Sequence, residues 1–219
     1  MKREVSTVRR VLRSLPGYPL LRRARRRLEQ GYESLRRVGT TQEHWSRVVM
    51  NRETRSIIRS LEPGKLKTLE ISGSAWGKRE HFKEYRQVSY PEFDLCGSPL
   101  DETFDLVIAE QVFEHLLWPH RAGRNVYRML NPGGHFLLTL PFLIRIHASP
   151  TDCTRWTETG IKYLLAECGF SMDRIRTGSW GNRACVRANF PRWIYYRPLF
   201  HSLRNEPNFP VHVWAIAQK

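Results

Sequence analysis

Long hydrophobic runs are missing from this chain. No apolar stretch approaches the roughly 18 residues that a membrane-spanning helix needs, which excludes a membrane bundle. Cysteine is scarce: Cys96, Cys153, Cys168 and Cys185 form no C-x-x-C pair and no zinc-type spacing with histidine. A disulfide scaffold or a zinc-finger framework is therefore not expected, and a reduced, cytoplasmic setting is. The first residues, MKREVSTVRRVLRSL, are interrupted by arginines and lack the apolar core of a secretory signal. Internal repeats and low-complexity segments are absent. What remains is ordinary globular material, with 219 residues, 41% hydrophobic and 26% charged, enough for one sizeable core.

Acidic residues are thin in one place. Residues 1–60 hold 16 Lys and Arg against 5 Glu and no Asp, so this quarter of the chain carries +11 of the total +15. The basicity belongs to an N-terminal arm, taken here as residues 1–62, ahead of a domain at 63–219. Apolar residues in the arm recur at helical spacing: Val5, Val8, Leu12 and Leu15, then Leu21, Ala24, Leu28, Tyr32, Leu35 and Val38, then Trp45, Val48, Val49, Ile57, Ile58 and Leu61. Arg22, Arg23, Arg25, Arg26 and Arg27 form a patch suited to nucleic acid or an anionic membrane. Equally, they form the solvated face of a helix that packs on the domain or on a second copy of the chain. Nucleic acid is the weaker reading, because no aromatic side chains are interleaved as stacking platforms.

From Leu66 the pattern changes. The runs KTLEISG, FDLVIAE, GHFLLTLPF and VHVWAIAQ read as strands, and HRAGRNVYRML and TETGIKYLLAECGF read as helices between them. Alternating strand and helix signals predict an α/β domain with a mainly parallel sheet. The first strand runs into Ser72-Gly73-Ser74, a turn of small residues that lets backbone approach a ligand closely, although the full G-x-G-x-x-G is lacking.

The order of these pieces resembles the class I S-adenosylmethionine-dependent methyltransferases, type-11 branch. The resemblance rests on Leu69-Glu70-Ile71-Ser72-Gly73-Ser74, then Asp94, then Ser98-Pro99 leading to Phe104-Asp105-Leu106-Val107, then Glu114-His115, then Met129-Leu130-Asn131-Pro132-Gly133-Gly134. It covers roughly residues 66–170. It implies a Rossmann-like sheet and S-adenosyl-L-methionine as cofactor. Glu70, Gly73 and Ser74 are implied at the methionine end, Glu92 or Asp94 at the ribose hydroxyls or the adenine amine, and Glu110 and Gln111 at the same crevice. For Glu92 and Asp94 the plainer role is a solvated loop acid. Two departures stand out. Ser72 replaces the first glycine of the family turn, and Glu70 and Asp105 are only 35 positions apart. A crossover needs about a dozen residues or more, so the sheet is expected to be short by one strand–helix unit.

On the acceptor side, the N/D-P-P-Y/F signature of amino-group methylation of bases is missing, and Ala109-Glu110-Gln111-Val112 stands there instead. After the GHFLLTLPF strand, the loop Pro141 to Thr157 carries His147, Asp152 and Arg155. A hydroxyl acceptor loses a proton as it is methylated, and imidazole titrates in the useful range. His147 is therefore the first candidate for a base, Asp152 its orienting partner, and His115 the rival. In the plainer alternative, Asp152 and Arg155 staple the loop and His115 is architectural. A similar loop occurs in type-11 proteins tied to cell-surface sugars and glycolipids, and the chain is similar to small actinobacterial sugar O-methyltransferases, including those of methylmannose polysaccharide assembly. The resemblance thus implies O-methyl transfer to a hydroxyl of a saccharide, polysaccharide precursor or glycolipid; the alternative is an RNA-binding or RNA-modifying protein of the same fold that uses the basic arm. Mg2+ is a conceivable helper with no ligand spacing to identify it. The stretch Trp180 to Phe209 is rich in aromatic residues, suited to sugar rings, to core packing or to an interface between copies.

Overall fold

The structure, a computed structural model, describes residues 42–219. The Arg22 to Arg27 patch and the first two apolar stripes lie outside the described residues. The third stripe forms a 3₁₀ turn, Trp45–Arg47, and helix α1, Val48–Ser60. The order continues β1 (Lys67–Ile71), α2 (Ala75–Arg79), β2 (Glu84–Val88), β3 (Phe104–Glu110), α3 (Pro119–Arg128), β4 (Leu130–Pro141), α4 (Glu158–Glu167), β5 (Ile175–Trp180), α5 (Arg183–Asn189) and β6 (His212–Gln218).

These strands form one six-stranded sheet in the order β2-β1-β3-β4-β6-β5. β6 runs antiparallel to both neighbours, and the other pairings are parallel. β3 is apolar on both sides because both faces of the sheet are covered. Val107 and Ala109 join a core with Leu69, Phe136 and Leu138 under α3 and α4. Leu106 and Ile108 face the other way, onto Ile58 of α1 and Trp76 of α2. Between Glu70 and Asp105 the chain makes one five-residue helix and one strand, so the expected shortening by one strand–helix unit is present.

α1 lies on the arm side of the boundary set at residue 63, yet it is part of the domain. Ile58 is buried against the sheet, and Val49 and Met50 pack with Trp180 and Trp214. The apolar stripe that gave this helix its period is thus its contact with the sheet, and the described part of the arm is no separate packing unit. No helix among the described residues is long and apolar enough to cross a membrane.

Two features of this topology place a site. The sheet order turns back between β1 and β3, since the chain moves outward from β1 to β2 and then crosses to β3 on the other side. In open α/β sheets the crevice beyond the carboxyl ends of the strands at such a switch point is where ligands bind. The second feature is a long excursion between β5 and β6, residues 181–211, which carries α5 and the aromatic stretch. Residues 44 and 195 form an isolated bridge that ties this excursion to the start of the described chain.

Candidate active site

At the switch point β1 ends in a tightly folded turn. Glu70 is 2% exposed, and its carboxylate accepts hydrogen bonds from the backbone N–H groups of Ala75 and Trp76, both at 3.0 Å, and from the Tyr85 hydroxyl at 2.6 Å. A buried carboxylate is tolerated when its oxygens are satisfied in this way. The sequence reading puts Glu70 at the cofactor; in the structure its oxygens hold the turn and reach β2. Gly73 is required for the same reason, since a Cβ there would collide with Glu70 Oε1. Ser72 adopts φ 58°, a left-handed conformation that glycine takes freely and other residues do not. Serine thus holds here a backbone conformation that favours glycine. Ser74 follows at the N-cap of α2.

The carboxyl end of β3 contributes the opposite wall. Glu110 faces two guanidinium groups, Arg47 from the turn before α1 and Arg79 from α2, each with Nη1 at 3.6 Å from a carboxylate oxygen. Neither arginine was singled out in the sequence, where Arg47 counted only toward the basic arm. Gln111 also takes a left-handed conformation, φ 56°, and donates from its backbone to Thr139 O at 3.0 Å and from Nε2 to Thr139 Oγ1 at 3.2 Å. Glu92 and Asp94 are exposed on the loop after β2, where Asp94 Oδ1 accepts from the Cys96 backbone at 2.8 Å. The structure thus gathers the Ser72–Ser74 turn, Glu110 and Gln111 at adjacent strand ends, and sets Glu92 and Asp94 on the loop beside them.

A second group of polar side chains lies beyond β3 and β4. The 3₁₀ turn Phe113–His115 buries Glu114 completely and leaves His115 partly open. The loop after β4 is laid over this turn by backbone bonds: Cys153 N–H donates to Glu114 O at 2.7 Å, and Thr151 Oγ1 donates to His115 O at 2.8 Å. His115 Nδ1 meets the carbonyl of Thr151. The rings of His115 and His147 meet edge to face with centroids 5.1 Å apart, and His147 is 6.0 Å from the ring of Trp193. Arg145 lies over the same Trp193 ring at 4.4 Å.

Asp152 does not reach the imidazole of His147. Its carboxylate accepts from the His147 backbone N–H at 2.8 Å and pairs with Arg155, which holds it down to a pKa of about 2. This is the loop staple of the plainer alternative, and it positions His147 through the main chain. Partial burial lowers the pKa of His147, with the Asp152 charge opposing the shift, so the ring is neutral and able to accept a proton at neutral pH. Burial pushes the Glu114 carboxyl up, to about 7.

The loop reaches α4 at Thr157, whose hydroxyl accepts from Gly160 N–H at 3.0 Å and caps the helix. Among the described residues, Glu114, His115 and His147 form the one group of three acidic, histidine or cysteine side chains close enough to share a metal ion.

Comparison with known proteins bears on both walls. Residues 56–138 match the family model described as a methyltransferase domain. No curated protein matches the chain in sequence. Among solved structures, an S-adenosylmethionine-dependent methyltransferase from Mesorhizobium loti superposes with a TM-score of 0.51 at 17% identity, covering 75% of this chain and 96% of that one. A second such enzyme, from Archaeoglobus fulgidus, gives a TM-score of 0.50 at 14% identity, covering 77% of this chain and 94% of that one. At these identities the likeness is one of fold. The matched residues run from α1 through most of β4 and so include the β1 turn, Glu110 and the Glu114–His115 turn. Residues 56–138 therefore resemble a methyltransferase domain, and the chain has the α/β fold of the class I S-adenosylmethionine-dependent methyltransferases.

Proposed function

We propose that this protein is an S-adenosylmethionine-dependent O-methyltransferase that acts on a hydroxyl of a saccharide, a polysaccharide precursor or a glycolipid. The residues at the switch point fit the cofactor. The turn at Ser72–Ser74 exposes backbone where β1 ends, and Glu92 and Asp94 offer exposed carboxylates for ribose hydroxyls or the adenine amine. Glu110 offers negative charge for a sulfonium, while Arg47 and Arg79 beside it offer positive charge for a carboxylate. When bound, S-adenosylmethionine supplies a methyl group activated by the positive sulfur. The protein's part is then to hold the acceptor in line and to take its proton.

The observation that carries the acceptor reading is the placement of His147. Its ring lies beside His115 and Trp193, on a loop pinned by Asp152 and Arg155. In transfer to a hydroxyl, the neutral ring of His147 would take the proton that the acceptor oxygen gives up as S-adenosylmethionine supplies its methyl group and leaves as the neutral thioether. Trp193, 36% exposed, offers an aromatic face of the kind that sugar rings pack against. The acceptor class rests on this pairing of a base with an aromatic platform.

The test is methyl transfer from labelled S-adenosylmethionine to a panel of monosaccharides, mannosides and glycolipids, with S-adenosylhomocysteine binding measured by calorimetry. The expected result is transfer to a saccharide hydroxyl. His147→Ala is expected to lower kcat on the order of 100-fold with unchanged S-adenosylhomocysteine affinity. Absence of S-adenosylhomocysteine binding at millimolar concentration overturns the cofactor. Near-normal turnover in His147→Ala, with His115→Ala inactive, overturns the base.

A further inference from the structure

We propose that Glu114, His115 and His147 form a binding site for one divalent transition-metal ion of the zinc type. The inference starts from Glu114. Its side chain is 0% exposed, and neither carboxylate oxygen has a hydrogen-bond partner. Glu70, the other buried glutamate at these strand ends, has three donors on its two oxygens. An unpartnered buried carboxylate costs several kcal/mol in order of magnitude. A cation bound through its oxygens is the chemistry that offsets this.

His115 is oriented as a metal ligand. Its Nδ1 faces the Thr151 carbonyl, which can only accept, so Nδ1 is the donor nitrogen and Nε2 is the one left to ligate. That Nε2 lies 3.7 Å from Glu114 Oε1. A backbone carbonyl that fixes the far nitrogen is the usual outer support of a ligating imidazole. His147 supplies the third donor: one ligand atom from each residue lies within 4.8 Å of the other two. Donors around a tetrahedral zinc-type ion at about 2.0–2.2 Å are roughly 3.4 Å apart. The Glu114–His115 pair is close to that already, and His147 completes the set by a side-chain swing on the order of 1 Å. The same backbone bonds that lay the loop on the 3₁₀ turn hold the two parts of the site together.

The donor set selects the ion. Two imidazoles with one carboxylate suit zinc, iron, cobalt or nickel, whereas magnesium and calcium take oxygen ligands. Three protein ligands leave a fourth position open.

The experiment uses the full chain, stripped with chelator and dialysed. Zinc sulfate is titrated by calorimetry, magnesium chloride is titrated in parallel, and S-adenosylhomocysteine is titrated into the same preparations. Expected are one zinc per chain at micromolar affinity or tighter, and no comparable heat from magnesium. Glu114→Gln, which keeps shape, and His147→Ala, on a partly open loop, are each expected to weaken zinc at least tenfold. Both should leave S-adenosylhomocysteine binding within twofold, which also certifies their fold. No saturable zinc binding, or zinc binding that both variants retain, overturns the site. If S-adenosylhomocysteine binds normally in that case, the methyltransferase reading survives the loss of the metal. Zinc bound at one per chain without S-adenosylhomocysteine binding has the reverse meaning.

Discussion

Glu114→Gln should change how stability depends on pH. In the folded chain the Glu114 carboxyl is pushed up to about 7 from an ordinary 4.5, first by burial, opposed by the pull of its own backbone N–H and then by the charges of His115, Arg155 and Arg47. Between these values the folded state holds a proton that the unfolded state has released, so stability must fall as pH rises through this window. Below about 4.5 both states are protonated and the effect vanishes. Above about 7 it is complete, and at 1.36 kcal/mol per unit it amounts to roughly 3 kcal/mol. Glutamine cannot ionise. Whatever the amide costs in itself is the same at every pH, so the stability difference should move toward the variant by roughly 3 kcal/mol between pH 4.5 and 8. Urea unfolding followed by tryptophan fluorescence, in buffer with chelator and with equal m-values for both proteins, measures this directly. A difference that stays constant within about 0.5 kcal/mol across the range refutes the reasoning, because Glu114 would then be ionised in the fold with partners that stabilise it. Added zinc provides an internal check: an ion bound at Glu114 favours the carboxylate, so the decline of wild-type stability with pH should flatten.

Three further outcomes follow from the geometry. Ser72→Gly should stabilise the chain by about 0.5–1 kcal/mol, read as a higher urea midpoint, because φ 58° suits glycine and strains serine; an unchanged or lower midpoint contradicts a strained turn. Tyr85→Phe removes the 2.6 Å bond to the buried Glu70 carboxylate and should cost about 1.5–3 kcal/mol, with weaker S-adenosylhomocysteine binding because the turn loses its anchor; a variant as stable as wild type shows that Glu70 is held well enough by Ala75 and Trp76. Ellman's reagent should modify one thiol per native chain quickly, at the exposed Cys153, since burial pushes Cys96 up and raises Cys168 to about 11 and Cys185 to about 12. Two or more fast thiols argue against the packing around α3, α4 and α5.

The strands that the sequence made visible are those with apolar neighbours on both sides. β1, β3, β4 and β6 occupy the centre of the sheet, and their runs of Val, Ile, Leu and Phe are what burial on two faces demands. β2 and β5 escaped because they are the two edges. Four of the five residues of β2, Glu84 to Gln87, are exposed, and β5 contains Thr177, Gly178 and Ser179. An edge strand needs no apolar alternation to pair with its neighbour, so composition carries no signal for it. The shortened interval from Glu70 to Asp105 was readable because a missing crossover is a matter of length. The placement of α1 was not, because an amphipathic stripe has the same period whether it covers a sheet, a second subunit or a lipid surface.

For the site, residue type was legible and state was not. Glu70 and Glu114 each sit in a recognisable motif, and nothing in either motif tells them apart: one ends a strand and the other lies in a turn three residues past one. Their difference comes from long-range partners. Glu70 is satisfied by Tyr85, delivered by β2, and by two N–H groups that a left-handed Ser72 and a side-chain-free Gly73 allow to fold back. Glu114 is sealed by the loop that arrives 33 to 40 residues later, between β4 and α4, which brings backbone donors to its carbonyl and none to its carboxylate. That loop brings His147 instead. The same main-chain bonds that satisfy the turn therefore leave a carboxyl without a hydrogen-bond partner facing two imidazoles. A backbone donor at the carboxylate would stabilise the fold more simply, and the ion proposed at Glu114, His115 and His147 would take that donor's place.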